Sequence, residues 1–134
     1  MARSGIGAAK VLLRQGAPVF LTEKKTESDM APETLGWIKD SGISREFGGH
    51  TKLAIENCNE IIISPGVPWD EPILRTARER NIPVISELEF AARNLSIPIV
   101  AVTGTNGKTT TTSLISAICS RAGLKAPPAG NIGL

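Results

Sequence analysis

Residues 97–110 read Ile97-Pro98-Ile99-Val100-Ala101-Val102-Thr103-Gly104-Thr105-Asn106-Gly107-Lys108-Thr109-Thr110. The first half is an apolar run rich in β-branched residues, which suits a strand buried on both faces. The second half passes through two glycines into a helical pattern expected over 107–122. A strand that turns through glycines into a helix gathers backbone N–H groups around an anion with no Cβ in the way. The helix N-terminus adds unpaired donors and a partial positive charge. In that setting Gly104, Thr105, Asn106 and Gly107 would cradle the phosphates of a nucleoside triphosphate. Lys108 would lie against the β/γ-phosphates as a point charge, and the Thr109 hydroxyl would be a Mg²⁺ ligand. Thr110 would add a hydroxyl or backbone donor. Lys108 and Thr109 are therefore the candidate catalytic pair.

The general phosphate-loop pattern places four residues between its first Gly and the Gly-Lys pair, whereas Gly104 and Gly107 are separated by two. A plain helix cap, with Thr105 or Asn106 as N-cap, is the bland alternative. Thr111 and Thr112 are β-branched residues within a helix, a structural rather than a catalytic placement. Further along, Leu114, Ile118 and Ala122 form one stripe with Ile115 and Cys119 beside it, the i, i+4 spacing of a core-facing side.

Working back along the chain, Pro18-Val19-Phe20-Leu21, Ile61-Ile62-Ile63 and Pro83-Val84-Ile85 are further apolar runs. Helical patterns are expected at about 4–15, 32–41, 51–58, 71–80 and 87–94. Such alternation reads as α/β, with a Rossmann-like parallel sheet. A composition seam at Asn94-Leu95-Ser96 sets an expected boundary between one domain over 1–95 and the start of a second, a phosphate-loop ATPase domain, over 96–134. The chain opens on a Gly/Ala helix start, Ala2-Arg3-Ser4-Gly5, with no strand to feed it, and ends on Gly130-Asn131-Ile132-Gly133-Leu134. We therefore expect a fragment, with the first strand of domain one missing and most of domain two cut away.

Composition narrows the function classes. The 134 residues are 41% hydrophobic, 21% charged and only 4% aromatic, the profile of a globular protein with an aliphatic core. A formal charge of +2 without a basic run gives no electrostatic footprint for nucleic acid. The longest apolar runs fall far short of a membrane span, and no signal peptide is visible. Cys58 and Cys119 lack ligand spacing and read as small buried hydrophobes in a reducing compartment, so the expected location is cytoplasmic.

Other strand ends carry ligand-type residues. Gly5 sits where the third glycine of a dinucleotide-binding turn would fall, although a tightly packed helix start explains it equally well. Glu23 follows the next strand about 20 residues on, where such a fold keeps its ribose-binding acid. Ser64-Pro65-Gly66-Val67-Pro68 is either a turn dictated by Pro and Gly or the border of a crevice ligand. His50, the single histidine, follows Gly48-Gly49 with no partner pattern, which favours a surface or structural role.

Taken together, Gly104-Thr105-Asn106-Gly107-Lys108-Thr109-Thr110-Thr111 resembles the shortened ATP loop of the Mur ligases. Four further pieces resemble the D-glutamate-adding branch of that family: Ala2-Arg3-Ser4-Gly5, Ser64 to Pro68, Ser86-Glu87-Leu88-Glu89 and Gly130-Asn131-Ile132-Gly133. The resemblance implies an N-terminal Rossmann-like domain that holds UDP-N-acetylmuramoyl-L-alanine, followed by a central ATPase domain. It places Arg3, Ser4 and Gly5 on the uridine diphosphate and Glu23, with Lys24 and Lys25, on the uracil side. Ser64, Pro65 and Gly66 would line the same pocket, and Asn131 would contact substrate between domains. ATP, Mg²⁺ and D-glutamate are the implied cosubstrates and ion, and the full-length enzyme is expected to be monomeric. The first glycine of the uridine turn is absent, and Ala129 stands where this branch usually has Gly. The remaining metal ligands, the modified lysine and the D-glutamate domain would lie beyond Leu134, so the fragment alone is expected to be inactive. Rival readings are a sister Mur-type or folate-polyglutamate-type ligase, and a non-catalytic module that binds a UDP-sugar or nucleotide. A lone strand and helix of domain two cannot bury their apolar faces, so 97–134 is also expected to dock wrongly or stay mobile.

Overall fold

A computed structural model describes residues 3–130, with side chains from residue 5 onward. The chain divides into two units between Ser96 and Ile97.

The first unit is built on four short strands. β1 (Phe20–Glu23) pairs in parallel with β2 (Ser44–Phe47), with Phe20 opposite Ser44 and Glu23 opposite Phe47. β3 (Ile61–Ile63) pairs in parallel with β4 (Val84–Ser86), with Ile61 opposite Val84 and Ile63 opposite Ser86. Parallel neighbours need a crossover. Helix α2 (Pro32–Asp40) supplies it between β1 and β2, and α3 (Pro72–Glu79) between β3 and β4. Both helices start on a proline, whose fixed φ and missing N–H suit the first helical position. α4 (Glu87–Arg93) follows β4 directly, because the Ser86 hydroxyl accepts from the Glu89 N–H and caps it.

One helix joins the two strand pairs. α1 (Arg3–Arg14) sends Ile6, Ala9 and Leu13 into a core with Leu21, Met30, Ile38 and Ile43. Its Ala8, Val11 and Leu12 pack instead with Ile62, Ile85 and Phe90. Two apolar stripes on one helix, three to four residues apart in each, produce this double contact. The result is an α/β, Rossmann-like arrangement, with the parallel strands in two pairs among the described residues rather than one continuous sheet.

Four sequence expectations change here. β2 was not expected; its Ser44-Arg45-Glu46-Phe47 sequence is too polar to stand out as a strand. The expected helix at 51–58 is only a 3₁₀ turn, Lys52–Ile55. The apolar run at 97–102 forms no strand, because among the described residues nothing pairs with it. The Leu114/Ile118 stripe of α5 (Lys108–Arg121) is not core-facing: the two side chains are 59% and 58% exposed. The second unit's described residues hold no other helix and no strand for that stripe to cover.

Candidate functional site

In the first unit, polar side chains stitch together the carboxyl ends of all four strands. At the β1/β2 end, Thr22 Oγ1 lies 2.8 Å from Glu46 Oε1 and 2.7 Å from His50 Nδ1. An ionised carboxylate only accepts, so Thr22 gives its proton to Glu46 and the His50 Nδ1–H donates to Thr22. Thr51 adds its hydroxyl to Glu46 Oε2 at 2.6 Å and its N–H to Oε1 at 3.0 Å. Burial pushes the Glu46 carboxyl up, but the bonds from Thr51 and Thr22, aided by nearby His50, hold it below its ordinary value. The Gly49 N–H donates to the Glu23 carbonyl and the Gly48 N–H to the Lys25 carbonyl, which closes this loop onto the end of β1. His50 is thus half-buried and structural.

Lys24, the residue after β1, pairs with Glu71 at 2.8 Å. Glu71 lies in the loop leaving β3 and its side chain is only 12% exposed, so this ion pair ties the two strand pairs together at their carboxyl ends. The Ser64 hydroxyl donates to Glu87 Oε1 at 2.5 Å, linking the end of β3 to the start of α4. Ser64 to Val67 is a turn closed by the Val67 N–H on the Ser64 carbonyl at 3.0 Å. Gly66 has no positive φ, and a Cβ placed on it would meet nothing within 4 Å. Neither backbone conformation nor packing demands glycine there. Its bare face borders open space, which is what close approach of a ligand requires.

The sequence-derived residues of this unit therefore fall on one edge: Glu23, Lys24 and Lys25 at β1, and Ser64, Pro65 and Gly66 at β3. Gly5 lies in the first turn of α1. The backbone of Arg3 and Ser4 belongs to the same turn, but their side chains, and Asn131 altogether, lie outside the described residues. Thr22, Glu46 and Glu71 were missed, and Glu87 was named only within a family-like motif without a role, because partners 23 to 47 positions apart leave no local signature.

In the second unit the loop before α5 has the conformation that its glycines permit. Gly104 has φ 146° and Gly107 φ 76°, both unfavourable for a side-chain-bearing residue. Gly107 is itself the N-cap, with no side-chain cap, so the alternative in which Thr105 or Asn106 caps the helix is not realised. Lys108 curls back over the loop, its Nζ donating to the carbonyls of Gly104 at 2.5 Å and Thr105 at 3.2 Å. Thr109 and Thr110 are exposed in the first turn of α5, whereas the Thr112 hydroxyl is spent on the Lys108 carbonyl. The side-chain oxygens this turn offers a cation are the exposed Thr109 and Thr110 hydroxyls, a set that would hold Mg²⁺ only with phosphates and water completing its shell. No cluster of three or more His, Cys, Asp or Glu side chains occurs among the described residues, nor a helix long and apolar enough to cross a membrane.

Known proteins match the sequence of both units. Residues 1–86 match the family "Mur ligase MurD-like, N-terminal domain", and residues 102–133 match "Mur ligase middle domain". A UDP-N-acetylmuramoylalanine–D-glutamate ligase from Microcystis aeruginosa is 48% identical over 99% of this chain. One from Koribacter versatilis is 43% identical over the same share. The chain spans 30% and 29% of the length of these two relatives. Among solved structures, the UDP-N-acetylmuramate-alanine ligase MurC from Thermotoga maritima superposes with a TM-score of 0.54 at 24% identity. That match covers 89% of this chain and 27% of the other, and it supports the fold alone.

Proposed function

Because this chain belongs to the Mur ligase family, we propose that it supplies the UDP-substrate side and the phosphate loop of an ATP-dependent D-glutamate ligase. The whole protein would join D-glutamate to UDP-N-acetylmuramoyl-L-alanine during peptidoglycan precursor synthesis, as a cytoplasmic monomer. Residues 1–95 would hold the UDP-substrate, and residues 96–134 would begin the ATPase domain. The observation that carries the phosphoryl-transfer part is the loop: two glycines at positive φ and a lysine ammonium that donates to the Gly104 and Thr105 carbonyls. Identity of 43–48% over nearly the whole chain supports the choice of D-glutamate.

The chemistry follows from the residues. Gly104 to Gly107 would present backbone N–H groups to the ATP phosphates. Lys108 would exchange the loop carbonyls for the β/γ-phosphate oxygens, where its charge offsets the negative charge of the transition state. Thr109 would hold Mg²⁺, which would supply positive charge against the ATP phosphates. Thr110 would add a further donor. On the other unit, Glu23, Lys24 and Lys25 would fix the uracil side. Ser64, Pro65 and Gly66 would flank the same nucleotide, with Arg3, Ser4 and Gly5 on the diphosphate; Asn131, which belongs to the second unit, would contact the substrate. The alanine carboxylate takes the γ-phosphoryl group and ADP leaves. The amine of D-glutamate then attacks the acyl phosphate, an amide forms, and phosphate and a proton are released.

The test is phosphate release by the full-length gene product with Mg-ATP, the UDP-substrate and one amino acid at a time. We expect turnover with D-glutamate and none with L-alanine, a diamino acid or L-glutamate on a folate. Turnover with another amino acid reassigns the enzyme within the superfamily. Tight binding of UDP-substrate with no turnover for any amino acid makes the protein a binding module.

A further inference from the structure

The Ser86-Glu87-Leu88-Glu89 motif does more than cap α4. We propose that Glu87 is a positioning residue for the UDP-substrate, acting by holding the Ser64 hydroxyl and with it the Ser64–Val67 turn. This rests on the reading of Ser64, Pro65 and Gly66 as one wall of that substrate's pocket.

Three observations converge on Glu87. First, its carboxylate accepts the Ser64 proton at 2.5 Å, a charge-assisted bond between two half-buried side chains. Second, its backbone position is fixed twice over. β4 is paired with β3, which sets Ser86 opposite Ile63, and the Ser86 hydroxyl caps α4 on the Glu89 N–H. The carboxylate is thus delivered to the end of β3 by elements that do not depend on ligand. Third, the neighbouring acids serve elsewhere: Arg93 bridges Glu89 at 2.6 Å and Glu60 at 2.7 Å, which braces α4, while Glu87 goes to Ser64.

The turn is held at two points, by the Val67 N–H on the Ser64 carbonyl and by Glu87 on the Ser64 side chain. The bare Gly66 follows two residues after Ser64, and its face meets no protein atom within 4 Å of a Cβ position. Without Glu87 the hydroxyl turns among its staggered rotamers and hydrogen-bonds water, so the wall loses one of its two anchors.

The experiment is steady-state kinetics on the full-length gene product with UDP-N-acetylmuramoyl-L-alanine varied at saturating Mg-ATP and D-glutamate. Loss of one hydrogen bond to a charged group sets the scale at about tenfold in KM. Ser64→Ala, Glu87→Ala and Glu87→Met are each expected to raise KM for the UDP-substrate by about that factor, with kcat and the KM for ATP unchanged. Glu87→Met keeps the stem length and helix propensity, so it carries the test if Glu87→Ala fails to fold. Glu87→Gln retains an amide oxygen that accepts from Ser64 and is expected to stay within about threefold of wild type. Because both residues act through one bond, the Ser64→Ala/Glu87→Ala double variant should also show only about a tenfold rise. An unchanged KM in Glu87→Ala and Glu87→Met overturns the proposal. So does a double variant in which the two effects multiply to about a hundredfold, or a Glu87→Gln enzyme as impaired as Glu87→Ala. An unchanged KM in Ser64→Ala removes Ser64 from the pocket and fails the underlying reading as well.

Discussion

The two units solve opposite problems. The first buries its own core, with Ile38 and Ala77 fully covered and Leu21, Ile55, Leu74 and Ile85 nearly so. Its strand ends can therefore hold a polar seam that runs from Glu46 through Thr22, Lys24–Glu71 and Ser64–Glu87. The second unit has no buried hydrophobic residue among those described. What it has is a loop whose shape depends on two glycines and one helix N-terminus. Binding of a UDP-substrate should consequently depend on tertiary packing, whereas binding of phosphate should depend on local backbone. On the proposed reading, a phosphate site needs little chain, whereas a site made of several strand ends needs a folded domain.

The largest effect should come from the loop. Lys108→Met should lower kcat of the full-length ligase by about 10³-fold, the scale for losing a preorganised charge at the transition state. Phosphate-release rates check it; a fall of less than tenfold would remove Lys108 from the chemistry. Next, Ile38→Ala should destabilise the first unit by about 2–5 kcal/mol, the cost of emptying a core site. The thermal melt followed on first-unit signals would shift, and an unchanged melt would show that this core is not what holds the strands.

Much of the first unit was legible because local signals agreed with the fold. Pro72 at the start of α3, and Ser86 three residues before Glu89, mark helix starts, and Ile61–Ile63 reads as a strand at sight. The polar strand Ser44–Phe47 was not legible, since it sits beside β1 through register and lacks an apolar run of its own. Conversely, residues 97–102 have every property of a strand except a neighbour to bond with. For the candidate site, Gly104 to Thr110 stood out because that strand-to-helix turn is contiguous, although its spacing departs from the general pattern and its reading as an ATP loop rests on the resemblance to the Mur ligases. Glu71 and Glu87 could not, because each is defined by a partner brought alongside through crossovers.

Three smaller effects sharpen the contrast. In hydrogen exchange, amides between residues 114 and 122 should be at least about tenfold less protected than that of Ala77, because apolar burial sets local opening energies. Equal protection would mean that the exposed stripe is covered. Gly107→Ala should cost about 1 kcal/mol by forcing a side chain to φ 76°, and should raise the KM for ATP without altering that for the UDP-substrate. Smallest is the pH effect at Glu46, whose folded carboxyl lies below its ordinary value of 4.5. Such a group contributes stability above the unfolded value, and that contribution is lost as pH falls through the depressed folded one. Thr51→Ala should therefore lower the melting temperature at pH 7, with the gap to wild type closing in the acid range. A gap independent of pH would show that the bond to Glu46 is not its source.

The division of labour between the units is tested most directly by paired calorimetric titrations of wild-type and Lys108→Met full-length protein. UDP-N-acetylmuramoyl-L-alanine is predicted to bind both with the same Kd, while Mg-ATP binding weakens markedly in the variant. Loss of UDP-substrate affinity in Lys108→Met, or unchanged ATP affinity and turnover, would contradict the assignment of the uridine nucleotide to the first unit and of ATP to the second.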